Sequence, residues 1–351
     1  MARMTRVMLA VALALLAVWP ARAADEGLRE IWHQDSKAGP APAWTIRVHA
    51  YAPPSLKAPS APAVVLLHGC LQGPREFFED GGWRQVADER GMLVVSVEFD
   101  DVGEHCLWWF QPDQRRPATA SQAAAIVKGL AEARRQYNVP QGDNYVAGLS
   151  AGGAMTVVML ALYPDLFAAG GAVAGVPFDC PAMTMERRLT WKGQPCLIPG
   201  MDQLPQACAC MAGDVDNRPA EWARAVAALH PGRTHWPRIA VWHGTTDPVV
   251  VCRNGLQIAS QWSLLHGGGV PDLSCPGRQG RIIAKRNPAG DKRWTLPGKD
   301  GRPLVELRLL DGFTHAMPID EKQGCGHSGK GFAEAGVCAA RGLADFFLGG
   351  Q

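Results

Sequence analysis

Gly148-Leu149-Ser150-Ala151-Gly152 is a G-x-S-x-G pentapeptide, and its surroundings decide the fold. Tyr145 to Ala147 before it reads as a short buried strand, and Ala151 to Tyr163 after it as a helix. A serine on so tight a strand-to-helix turn has a strained backbone that bulky neighbours would foul, which is why glycines flank it. The amides that open the following helix point to where negative charge would develop on a substrate oxygen. The bland alternative is a tight turn with no chemistry, but the strand before and the helix after favour a nucleophile elbow with Ser150 as the nucleophile.

Outward from the elbow, strands alternate with helices. Ala63–Leu67 and Met92–Val97 are continuous apolar runs, as expected of strands buried on both faces of a parallel sheet. Phe167–Val176, Arg238–Trp242 and Leu304–Leu310 read as further strands. Phe77–Arg90 reads as one helix. Thr119-Ala120-Ser121-Gln122 fits a capping box, after which Ala123, Ile126, Val127, Leu130, Ala133 and Tyr137 recur at helical spacing. Leu343–Leu348 closes the chain as a helix. Thr45–Tyr51 alternates and reads as an edge strand, after a poorly structured lead-in over residues 24–43. Residues 24–62 thus form a lead-in and edge strand, and 63–351 an α/β-hydrolase domain with a mostly parallel central sheet flanked by helices. Residues 177–237, with Cys180, Cys196, Cys208 and Cys210, break the rhythm and are expected to form a Cys-rich cap over the carboxyl edge of the sheet, where ligands of such folds bind.

A serine hydroxyl needs a base, and the base an orienting carboxylate. In this fold the chain order is Ser, then Asp or Glu, then His. Asp247, in His243-Gly244-Thr245-Thr246-Asp247, and His315, in Gly312-Phe313-Thr314-His315, satisfy that order just past strand ends. Asp311, too near His315 in sequence, and His243 and His327 read as structural. The oxyanion hole needs two main-chain donors, expected at Ala151 N–H and, through the turn that Gly69 permits, Cys70 N–H.

The first 23 residues stand apart. Arg3 and Arg6 precede an apolar run from Val7 to Val18, followed by Ala21-Arg22-Ala23, the pattern of an export signal cut after Ala23. The run is too short to cross a bilayer, which needs about 20 residues, so no stable membrane insertion is expected. Removing this segment takes the formal charge from +2 to −1, which gives no electrostatic footprint for nucleic acid. The basic stretch Arg278–Arg302 is broken by Pro, Gly and Asp and reads as a solvated hairpin or loop. Ten cysteines in an exported chain point to disulfides, and their spacing does not suit zinc, so no metal is expected. Cys70 and Cys106 each follow a strand, and neighbouring parallel strands would bring both to one sheet edge as a bridge. Cys252–Cys275 and Cys325–Cys338 are candidate local pairs, and the cap cysteines are left to pair among themselves in an arrangement the sequence leaves open.

Five segments carry a family resemblance. Leu67-His68-Gly69-Cys70-Leu71-Gln72, Cys106–Arg116 (CLWWFQPDQRR), Tyr145–Met155 (YVAGLSAGGAM), His243–Asp247 and His315–Pro318 resemble, in this order, segments of the polyhydroxybutyrate (PHB) depolymerase family of esterases. The resemblance implies carboxylic ester hydrolysis without a cofactor, on a PHB-type polyester or its oligomers. Because the family also holds feruloyl and acetylxylan esterases, plant cell-wall esters are the alternative. Extracellular polymer-degrading members often carry a linker and a polymer-binding domain, and this chain ends soon after His315. Trp108, Trp109, Trp191 and Trp236 are candidates for an aromatic acyl pocket, with core or cap packing the alternative for each, and Trp108 and Trp109 are taken as the candidate substrate-binding residues. Gly324–Gly329 formally matches a dinucleotide fingerprint and Gly324–Gly331 nearly a P-loop, but neither follows the first strand of a βαβ unit. A noncatalytic binding protein on the same scaffold is the other rival, opposed by the complete Ser, Asp and His set.

Overall fold

The computed structural model describes residues 27–36, 43–100, 105–112, 121–180, 205–213, 215, 218–275 and 290–349. The export segment, Thr119, Trp191, Cys196 and much of the basic stretch lie outside them. Among the described residues, nine strands form one sheet: β1 (Arg29–Asp35), β2 (Thr45–Tyr51), β3 (Ala63–Leu67), β4 (Leu93–Asp100), β5 (Asn144–Leu149), β6 (Ala169–Val173), β7 (Arg238–Gly244), β8 (Asp291–Pro297) and β9 (Pro303–Leu310). Their order is β1-β2-β4-β3-β5-β6-β7-β9-β8. The six from β4 to β9 are parallel, while β1, β2 and β8 pair antiparallel at the two sides.

The central strands are apolar on both faces because helices cover both. Ala63, Val65 and Leu67 face one layer and Val64 and Leu66 the other, all fully buried. The first layer holds α3 (Gln122–Gln136), α4 (Ala151–Leu162), α6 (Pro219–Ala227) and α7 (Arg253–Leu265); the second holds α1 (Pro74–Glu79), α2 (Trp83–Arg90) and α8 (Ala339–Leu348). A short helix, α5 (Pro205–Met211), lies beside the carboxyl edge, and a small parallel pair, β10 (Met317–Ile319) and β11 (Phe332–Glu334), follows β9.

Several expectations need correction. Thr45–Tyr51 is not an edge strand: Arg29–Asp35, inside the expected lead-in, pairs along its outer side. The expected helix Phe77–Arg90 is two helices, α1 and α2, broken at Gly82, whose φ of 79° an L side chain rarely adopts. The cap of α3 is Ser121, whose side chain accepts from Ala124 N–H at 3.1 Å, and Gln122 is instead the first helical residue. Within the range 177–237 expected as a cap, α6 packs in the helical layer: Trp222 is fully buried, and its carbonyl accepts from Gln261 Nε2 on α7 at 2.8 Å. The hairpin reading of the basic stretch, by contrast, fits its described part: Asp291–Pro297 is a largely solvated strand paired antiparallel with β9.

Four disulfides lie among the described residues. Cys70–Cys106, Cys252–Cys275 and Cys325–Cys338 are the pairs expected from position, and Cys180–Cys210 ties the end of the β6 loop to α5. Because β3 and β4 are adjacent and parallel, the loops carrying Cys70 and Cys106 do leave the same edge. No helix among the described residues is long and apolar enough to cross a membrane.

Candidate active site

The carboxyl edge gathers the chemistry. Ser150 follows β5 directly, Asp247 lies three residues past β7, and His315 lies five residues past β9. Ser150 has φ 57° and ψ −117°, a conformation costly for any residue with a Cβ. It is held there by contacts that leave no room for larger neighbours. A Cβ on Gly152 would stand 1.9 Å from Leu67 O, so the opening turn of α4 packs directly on the end of β3. Ser150 N–H is fixed to Val173 O at 2.9 Å.

Three side chains are joined in line. His315 Nδ1 is 2.7 Å from Asp247 Oδ2, and His315 Nε2 is 2.9 Å from Ser150 Oγ. Burial alone would push the Asp247 carboxyl up, but His315 and His243 outweigh it and hold the group below the usual carboxylate range. Asp247 is therefore an acceptor, which makes Nδ1 the donor on His315 and leaves Nε2 to accept from the Ser150 hydroxyl. The other carboxylate oxygen, Oδ1, accepts from Val249 N–H at 2.8 Å and Val250 N–H at 2.9 Å. His243 Nε2 donates to Val250 O at 2.7 Å, so this histidine holds the acid's loop. Asp311 accepts from Thr245 Oγ1 at 3.1 Å and makes no bond to His315.

The turn after β3 is fixed at two successive peptides. Gly69 O accepts from Gln72 N–H at 3.2 Å and lies 2.8 Å from His68 Nδ1. Burial pushes the His68 imidazole down, against the pull of that same carbonyl, so the ring is neutral and its Nδ1–H donates. In a trans peptide C=O and N–H point opposite ways, so fixing Gly69 O fixes the direction of Cys70 N–H. The preceding amide, Gly69 N–H, is occupied by Gln72 Oε1 at 2.8 Å. Among the described residues, neither Cys70 N–H nor Ala151 N–H has an acceptor, and both residues border a cavity with Ser150.

Of the two tryptophans expected at substrate, Trp109 lines that cavity. Trp108 does not: its ring packs edge-on against Phe99 at 5.6 Å, and its backbone N–H donates to Gln122 Oε1 at 2.9 Å. Trp236 lies under Arg233, by the amino ends of β6 and β7. Ala154, Val176, Met211 and Val250 complete the cavity and were not singled out by sequence. Gln72 was also missed; its place three residues past Gly69 was the one available signal.

Residues 46–190 match the family model described as Esterase PHB depolymerase. Poly(3-hydroxyalkanoate) depolymerase C of Paucimonas lemoignei is 28% identical over 84% of this chain and 65% of its own length. Feruloyl esterase B of Talaromyces stipitatus is 29% identical over 64% of this chain and 58% of its own. Acetylxylan esterase of Coprinopsis cinerea is 29% identical over 78% and 66%. The chain thus spans less than two thirds of the length of each of these curated relatives. Among solved structures, the acetyl xylan esterase of Aspergillus awamori superposes with a TM-score of 0.58 at 19% identity, over 83% of this chain and 97% of that one. The fold is that of the α/β-hydrolases, and the resemblance read from the five segments is borne out.

Proposed function

We infer that this chain, homologous to the PHB depolymerase family of esterases, is a carboxylic ester hydrolase working through an acyl-enzyme on Ser150. The observation that carries this reading is the line of hydrogen bonds from Asp247 through His315 to Ser150, beside two amides without acceptors. Ser150 Oγ attacks the ester carbonyl as His315 Nε2 takes its proton. The oxyanion so formed accepts from Cys70 N–H and Ala151 N–H, donors already in place before charge develops. His315 then hands the proton to the departing alcohol. In the second half-reaction it takes a proton from water, which attacks the acyl-enzyme and frees the acid. Asp247 keeps His315 in the Nδ1–H tautomer and stabilises the imidazolium. No step calls for a cofactor.

The substrate is a carboxylic ester. Polyesters of hydroxyalkanoates, or their oligomers, are supported by the name of one relative; feruloyl and acetyl esters of cell-wall polysaccharide are supported by the names of two others. Export through the segment cut after Ala23 is supported by the disulfides. It requires the mature chain to begin at Ala24, which terminal sequencing checks.

Labelling with a fluorophosphonate probe tests the esterase reading directly. The wild-type chain should take up one equivalent at Ser150, and Ser150→Ala none. An unlabelled wild-type protein would make this a noncatalytic binding scaffold.

A further inference from the structure

The relatives differ in the acyl group their names specify, so the acyl side of this site decides what the chain accepts. The cavity beside Ser150 has a volume of about 10 Å³. Its position identifies it as the acyl side. A departing alcohol must lie within reach of His315 Nε2, which protonates it, yet His315 does not border the cavity. Cys70 and Ala151, whose amides face the carbonyl oxygen, do. With the oxygen on those amides and the alcohol toward His315, the remaining substituent of the carbonyl points into the cavity.

A space of this size holds about one water-sized group, which a methyl also fills. Its walls are tied at several points. Met211 O accepts from Val251 N–H at 2.9 Å and from Asn254 Nδ2 at 3.2 Å, and the residue before it, Cys210, is bonded to Cys180. Trp109 stands edge-on to Phe110 at 5.6 Å, three residues from the Cys70–Cys106 bridge. Val250 cannot withdraw freely, since its N–H lies on Asp247 Oδ1 and its carbonyl on His243. Val176 is 2% exposed.

We propose that this cavity is an acyl subsite built for acetyl, with Met211 and Trp109 as the stops that set the limit. The proposal rests on the esterase reading and narrows its substrate class to acetyl esters. Four-carbon 3-hydroxyacyl groups and cinnamoyl-type groups exceed the space, whereas the alcohol, on the His315 side, remains open to large saccharides.

The test is a series of p-nitrophenyl esters, acetate, butyrate, hexanoate and 3-hydroxybutyrate, which share a leaving group and differ only in acyl. For the wild-type chain kcat/KM should fall at least about tenfold from acetate to butyrate, as a methylene without room is worth ~10-fold or more, and fall again to hexanoate. Met211→Ala and Trp109→Ala should each raise the butyrate-to-acetate ratio by about tenfold. Butyrate or 3-hydroxybutyrate turned over as well as acetate by the wild type, with Ser150 labelled by the fluorophosphonate, would overturn the subsite alone and leave the esterase reading standing. Absence of both labelling and turnover would overturn the esterase reading, and the subsite with it. The wild-type series decides the matter even if either variant fails to fold.

Discussion

Gln72 and Lys330, 258 residues apart in sequence, are joined directly and through a neighbour: Gln72 Nε2 donates to Lys330 O at 2.8 Å, and Lys330 Nζ donates to the carbonyl of Leu71, next to Gln72, at 2.9 Å. Gln72 meanwhile accepts from Gly69 N–H and is 7% exposed. Its carboxamide therefore joins the turn carrying Cys70 to the glycine-rich segment that superficially matched a nucleotide motif. That segment is in turn joined to the base's loop, since Met317 N–H donates to Gly331 O at 2.8 Å. Of its glycines, Gly331 is the one against Gln72, where a Cβ would stand 2.5 Å from Nε2.

Gln72→Leu should accordingly impair positioning without removing a reacting group. It strands Gly69 N–H and loosens the turn that leads to Cys70, although Gly69 O keeps its bonds to Gln72 N–H and His68 Nδ1. The expected result is a fall in kcat of about tenfold to a hundredfold with a smaller change in KM, short of the ~10²–10³ that loss of an oxyanion donor costs. Gln72→Glu keeps an acceptor for Gly69 N–H and should recover part of the loss. The affinity of a boronic acid, which mimics the tetrahedral adduct, should fall in step with kcat; a fall in KM alone, at unchanged kcat, would contradict the role.

Ser150→Ala should lower kcat by about 10⁴-fold or more and leave the melting temperature within a few degrees of wild type. The hydroxyl contributes one partly buried hydrogen bond, to His315, and no packing that alanine does not supply. His315→Ala should be comparably inactive. Asp247→Asn should lose activity to at most a similar extent, because it leaves the ring in place but favours the wrong tautomer. Substantial turnover by the serine variant would refute the mechanism.

The acidic limb of the rate profile should follow one group. Asp247 is held below the ordinary carboxylate range, so its stabilising charge is present above that range and lost only as pH falls through the depressed value. Through the region where histidines titrate it stays ionised, and only neutral imidazole accepts the serine proton. A plot of log kcat/KM against pH should therefore rise with unit slope to a plateau. A flat profile would exclude a histidine base, and a slope of two near pH 4 would mean that Asp247 protonates with it.

The sequence carried the parallel core, because strands buried on both faces are unbroken apolar runs, and it carried Ser150, Asp247 and His315, because this fold places them at strand ends in a fixed order. What it hid has physical causes. β1 and β8 are flanking strands whose side chains are largely solvated, so REIWHQD and DKRWTLP show little of the apolar pattern that marks a strand. α7 is masked by polar residues that are in fact buried: Asn254, Gln257 and Gln261 spend their amides on the carbonyls of Met211, Val215 and Trp222. Those bonds seat the residues around α5 and α6, which is why Met211 at the cavity has no local signature. Gln72 looked like an ordinary loop residue because its partner lies at the other end of the chain.

Removing the Cys70–Cys106 bridge, as Cys70→Ala with Cys106→Ala, should damage both stability and rate. The bridge spans 36 residues, and closing such a loop restricts the unfolded chain by roughly 3–4 kcal/mol on the chain-entropy account. A lower melting temperature should follow. The effect on rate has a separate origin. Alanine at position 70 retains the N–H, so the donor itself survives, but the turn that carries it loses its tie to the Trp109 loop. His68 and Gln72 still hold Gly69, so the loss should be partial: kcat reduced several-fold, KM altered less, and labelling by the fluorophosphonate slowed but not abolished. Combining this change with Gln72→Leu should cost more than the product of the two separate losses, since each tie supports the same peptide when the other is gone. Peptide mapping of the non-reduced wild-type protein provides the independent check. Cys70 recovered as a free thiol, or joined to a cysteine other than Cys106, would remove the basis of the prediction, and a double variant with unchanged kcat would show that the turn holds its amide without the bridge.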